Sequence, residues 1–75
     1  MLNFEETVKE TISKVMHEPV NRLERNTVLA DVGVDSLDII EIIMEIEEIS
    51  GIKISDDKLG LYDSIDKLIK MCESL

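Results

Sequence analysis

From Leu37 to Ile49 the chain carries Leu37, Ile39, Ile40, Ile42, Ile43, Met44, Ile46 and Ile49, with Asp35 ahead of them and Gly51 behind. Side chains three and four apart share one face of a helix. The stripe 39, 42, 43, 46 and 49 therefore predicts a helix that buries one side. Asp35, with Asp38 three residues on, has the spacing of an N-terminal cap, and Gly51 supplies the left-handed residue that ends a helix. Leu37, Ile40 and Met44 recur at i, i+3 and i+7 on another face. They predict an exposed apolar strip interleaved with Glu41, Glu45 and Glu48, a surface suited to a partner protein.

Two further helices flank this one. Asn3 and Glu6 have capping spacing, and Phe4, Val8, Ile12 and Val15 step along one face until Pro19 forces an end near His17. Asp63, with Asp66 three on, is the N-cap candidate of the last helix, whose core stripe is Ile65, Leu68, Ile69 and Cys72. Residues 17–35 are long for a connection but carry Val20, Leu23, Val28, Leu29, Val32 and Val34, which predicts an ordered loop packed across the helices. A short helical turn is expected near Arg22–Arg25, and a turn over Asp31–Gly33. Ile52-Lys53-Ile54 reads as an extended link with its isoleucines inward, and Ser55 as the cap of a brief turn over Asp56–Leu59 that Gly60 ends. The fold class is all-α: a small antiparallel bundle of three main helices plus a short third helix or turn, in one domain over residues 1–75. A chain of this length buries only about 60% of its unfolded surface, leaving no room for an enclosed catalytic pocket. With Phe4 and Tyr62 as the sole aromatics, the core must be aliphatic.

Charge narrows the function. The net charge is −9. Nucleic-acid binders need clustered Lys and Arg to displace counterions, and anionic membranes attract the same residues. Nucleic acid and membrane insertion are therefore excluded as partners, and no apolar run is long enough to span a bilayer. Asp31, Asp35, Asp38, Glu41, Glu45, Glu47 and Glu48 fall between Asp31 and Ser50 with no base among them. Such a face favours basic partner surfaces and a monomer. Neither Asp31–Ile42 nor Asp56–Lys67 fits a calcium loop, so no metal site is expected beyond weak surface binding of Mg²⁺ or Ca²⁺. A lone Cys72 excludes an internal disulfide, and with an N-terminus lacking a signal peptide it points to the cytoplasm. Cys72 itself reads as a buried apolar residue, and His17 as a surface residue at a helix end.

Ser36 is the chemically telling residue. It falls in the first turn of the acidic helix, where backbone N–H groups and the helix dipole favour a phosphate. No His or Lys lies near it in sequence to activate it, so it suits the role of a substrate for another enzyme rather than that of a nucleophile.

The run Gly33-Val34-Asp35-Ser36-Leu37-Asp38, with the long loop before it and Gly51 and Ile52-Lys53-Ile54 behind, resembles the attachment site of acyl carrier proteins. The likeness covers roughly residues 4–72 and is densest from Leu29 to Ile54. It implies a discrete carrier, not an enzyme, with 4′-phosphopantetheine esterified to Ser36 and acyl groups held on the arm's thiol as thioesters. The implied partners are a phosphopantetheinyl transferase, and acyl-transferring and condensing enzymes with basic docking patches. Asp35, Asp38, Glu41, Glu47 and Glu48 would meet those patches, and Leu37, Ile40 and Met44 would supply the apolar contacts. In this family a carried chain can shelter among the helices, here in the aliphatic core from Val8 through Ile46 to Leu68. The stretch Ser55–Asp63 is shorter than in typical fatty-acid carriers, where it forms one wall of that shelter. Fatty, polyketide, peptide and amino-acyl cargoes therefore all stay open. An acidic adaptor that binds a basic partner without modification is the alternative that composition alone allows.

Overall fold

The computed structural model describes residues 3–54 and 63–74. Three α-helices appear in it: α1 (Phe4–Met16), α2 (Ser36–Ser50) and α3 (Ile65–Glu73). Two 3₁₀ turns, Val20–Arg22 and Leu29–Val32, punctuate the loop between α1 and α2. The turn expected over Asp56–Leu59, with its Ser55 cap, lies outside the described residues. Thr7, Glu10 and Thr11 of α1 border Ile49, near the end of α2, whereas Lys14 of α1 meets Glu45, one turn earlier. The two helices thus run antiparallel, so the start of α2 lies beside the end of α1.

Helix boundaries follow local chemistry. The Asn3 side chain accepts the Glu6 amide at 3.2 Å, and α1 closes on His17 in the left-handed conformation (φ 59°). Gly51 closes α2 at φ 75°, its amide donating to the Glu47 carbonyl at 2.8 Å. A Cβ added there would meet nothing within 4 Å. Gly51→Ala should therefore cost only the backbone penalty of a left-handed L-residue, about 1 kcal/mol. That corresponds to a melting temperature lower by about 4–8 °C. Thermal unfolding checks this, and Gly51→Asn should lose less because Asn tolerates the conformation.

The core is aliphatic, as composition requires: Val8, Ile12, Leu23, Leu29, Val34, Ile39, Ile42, Ile43, Ile46, Ile54, Ile65, Leu68, Ile69 and Cys72 form one buried cluster. Phe4, Val15, Val32 and Ile52 pack partly buried against it. Val20 and Val28 stay exposed. Ile49, expected in the core stripe, is 56% exposed. It falls on the flank of α2 opposite the polar side of α1, beyond the arc filled by Ile39, Ile42, Ile43 and Ile46.

The cap of α3 also differs from expectation. Ser64, not Asp63, is the N-cap, and its hydroxyl accepts the Lys67 amide at 3.3 Å. The cause is tertiary. Ser64 is extended because it forms an antiparallel bridge with Val28. On either side of that bridge the Leu29 amide donates to the Asp63 carbonyl at 2.9 Å, and the Ile65 amide to Thr27 at 3.1 Å. The loop is therefore stitched to the start of α3, which explains how so long a connection stays ordered.

Candidate functional site

The loop delivers the chain to α2 through Gly33, left-handed at φ 86°, whose amide donates to the Ala30 carbonyl at 3.1 Å. Buried Val34 anchors the next step. Asp35 and Asp38 then form a reciprocal cap. The Asp35 carboxylate accepts the amides of Leu37 at 3.0 Å and Asp38 at 2.9 Å, while the Asp38 carboxylate accepts the Asp35 amide at 3.1 Å. The Asp38 amide, foremost among these donors, holds the Asp35 carboxyl below its usual range. Ser36 is the first residue of the helix and is exposed, and no hydrogen bond engages its hydroxyl among the described residues. One sequence-based expectation narrows here. The amides of Leu37 and Asp38 already serve the Asp35 carboxylate, so they do not wait for a phosphate.

Along the outer side of α2, Leu37 is 73% exposed, Met44 62% and Ile40 39%, so the apolar strip expected from spacing stands in solvent. Asp35, Glu41 and Glu48 are exposed beside it, and Asp38 and Glu47 are half-buried. Besides Asp35 and Asp38 in the cap, two more acids of the segment are occupied internally. Glu45 pairs with Lys14 of α1 at 3.1 Å, and the Glu47 carboxylate accepts the Ile54 amide at 2.7 Å.

Residues 6–72 match the family model of the phosphopantetheine attachment site. An acyl carrier protein of Buchnera aphidicola (from Schizaphis graminum) is 40% identical over 70 residues, covering 92% of this chain and 89% of the relative. The chain belongs to the acyl carrier protein family. A second acyl carrier protein, from Sulfurovum, is 28% identical over the full length of both chains. A non-reducing polyketide synthase of Emericella nidulans is 33% identical over 97% of this chain but only 3% of its own length. The cofactor of this carrier-family chain is accordingly 4′-phosphopantetheine. The Buchnera and Sulfurovum relatives are carrier proteins rather than catalysts, and membership of the family implies work alongside synthase enzymes. Among the described residues no helix is long and apolar enough to cross a membrane, and no group of acids, His and Cys is placed to hold a metal ion.

The carrier's remaining surface holds one feature that local sequence patterns do not reveal. Arg25, in the loop, donates to Glu5 of α1 at 3.1 Å and to Asp66 of α3 at 2.8 Å. Lys9 and Lys70 sit on the same two acids, giving a chain of five charges across three elements. A shallow groove of about 190 Å³ runs between α1 and the last turns of α2, lined by Thr7, Glu10, Thr11, Lys14 and Ile49. Cys72 is buried, and desolvation, with some help from Glu73, pushes its thiol pKa up to about 11. At neutral pH it stays protonated and packs as an apolar residue.

Proposed function

We propose that this chain is a discrete, single-domain, monomeric acyl carrier protein of the cytoplasm, with Ser36 as the attachment residue. The observation that carries the reading is the placement of Ser36: an exposed hydroxyl with no internal partner among the described residues, on the first helical position of α2 inside the matched region. A separate Mg²⁺-dependent transferase would join Ser36 Oγ to the phosphorus of coenzyme A that bears the pantetheine. The pyrophosphate bond breaks, 3′,5′-ADP leaves, and the hydroxyl proton passes to the transferase. The bound arm supplies a thiol that holds acyl groups as thioesters.

This chain's residues do two things for that chemistry. The reciprocal Asp35–Asp38 cap fixes the helix start, so Ser36 is presented in one backbone geometry. The outer side of α2, with Leu37, Ile40 and Met44 beside Asp35, Asp38, Glu41 and Glu48, presents an apolar contact ringed by negative charge. Transferases, acyl-transferring enzymes and condensing enzymes would meet it with basic patches, which raises encounter rates and fixes register. Tethering the cargo then raises its effective concentration at each partner. The polyketide synthase relative supports keeping polyketide cargo beside fatty-acid cargo.

Intact mass after incubation with coenzyme A, Mg²⁺ and a broad-specificity transferase tests the reading. The wild type should gain one phosphopantetheine, and Ser36→Ala, folded by circular dichroism, should gain none. A folded wild type that stays unmodified would instead favour an acidic adaptor.

A further inference from the structure

We infer that Glu47 is a positioning residue for the chain leaving α2 and stands outside the docking face that its neighbours Glu41 and Glu48 form. The inference extends the carrier reading, because it says which acids a basic partner can reach. Glu47 and Glu48 are adjacent and chemically identical, yet their surroundings differ. Glu47 is half-buried, and its carboxylate accepts the Ile54 amide at 2.7 Å, across the Gly51 turn. A bond between a carboxylate and a backbone amide is charge-assisted and stronger than a neutral one. It holds down the residue that matters most to the link, since Ile54 is buried at 4% exposure in the common core. Lys53 beside it is exposed, so without this tie only packing and a long bond from the Ile52 amide to the Ser50 hydroxyl (3.5 Å) would set the link's register.

The geometry on the other side of α2 is different. Leu37, Glu41, Met44 and Glu48 follow one another at intervals of three or four residues and form a single exposed ridge. Among the described residues neither Glu41 nor Glu48 meets a cation or a donor. Seven residues of helix separate them, about 10 Å along the axis. The partner that fits is a protein surface with two cationic side chains at that separation and an apolar contact between them for Met44. Glu47 projects about 100° around the helix from Glu48 and would add nothing to that grip.

Three variants separate the roles: Glu47→Gln, which keeps an acceptor oxygen and drops the charge, Glu47→Ala, which drops both, and Glu48→Gln. Two readouts are taken on the full chain: amide hydrogen exchange at Ile54, and the KM and kcat of a phosphopantetheinyl transferase with coenzyme A. We expect Ile54 exchange to rise at least about tenfold in Glu47→Ala, as for loss of one net hydrogen bond, and to be largely restored in Glu47→Gln. KM should rise about threefold or more in Glu48→Gln, as for loss of a surface charge contact, with kcat unchanged, and should not move in Glu47→Gln. Equal KM increases in Glu47→Gln and Glu48→Gln would overturn the inference, as would Ile54 exchange that ignores Glu47→Ala. If the transferase fails to modify even the wild type, the carrier reading falls, and the exchange measurement alone then decides the role of Glu47.

Discussion

Leu68→Ala should leave the domain close to its unfolding threshold. Leu68 is fully buried, and removing it leaves a cavity as well as losing transfer free energy, together about 2–5 kcal/mol. A chain of 75 residues has about 4–11 kcal/mol of stability in total. The location raises the stakes. α3 is only nine residues long, and a helix that short does not hold itself together in water. It persists because Ile65, Leu68, Ile69 and Cys72 are pressed into the cluster shared with Val8, Ile12 and Ile46. When Leu68 is cut back, α3 loses the centre of that contact, and the loop residues hydrogen-bonded to its start lose their anchor. Urea unfolding followed by far-ultraviolet circular dichroism is the measurement. The midpoint should drop severalfold more than for Lys67→Ala, an exposed neighbour whose pairing with Asp63 is a surface ion pair. Equal shifts for the two variants would mean that α3 is not held by its buried stripe.

What the sequence made legible was local. The cap at Asp35 and Asp38, the left-handed Gly51 and, Ile49 apart, the two faces of α2 all follow from spacings of three and four residues, and each stands in the structure as spacing implies. The place of Ser36 in the first turn was visible for the same reason, since a helix start can be read from the residues that make it. The misses share a different cause. Ser64 caps α3 instead of Asp63 because Val28, far away in sequence, holds it extended. Ile49 leaves the core because what faces it is the polar side of α1, which the pattern of α2 alone cannot report. The bond from the Ile54 amide to the Glu47 carboxylate was equally hidden, because nothing in a helical wheel says that the chain turns at Gly51 and returns an amide to that residue. Periodicity reports which side of an element is apolar. It does not say which neighbour each side will meet.

Arg25→Met should lower the melting temperature at neutral pH and flatten the loss of stability on acidification. Methionine keeps an unbranched apolar stem like that of arginine, so the change isolates the charge. In the wild type the guanidinium joins Glu5 and Asp66, and the Arg25 carbonyl also accepts the Asp66 amide at 2.7 Å, so loop, α1 and α3 meet at one residue. Glu5 is held below its ordinary pKa by Lys9 first and Arg25 second, and Asp66 by Lys70 first and Arg25 second. A carboxyl whose pKa is depressed by folding adds stability that is complete above its unfolded value, near pH 4, and is lost as pH falls through the lower folded value. The contribution of the network is therefore whole at pH 7 and disappears as pH drops below about 4. Removing Arg25 removes one of the two causes on each acid, so the acid-induced slope should shrink without vanishing, and the two proteins should converge toward pH 2. All five groups are partly exposed, and salt should narrow the gap at pH 7 as the screening length falls below about 10 Å. A gap that stayed constant from pH 7 to pH 2 would show that Arg25 acts through packing and the backbone alone.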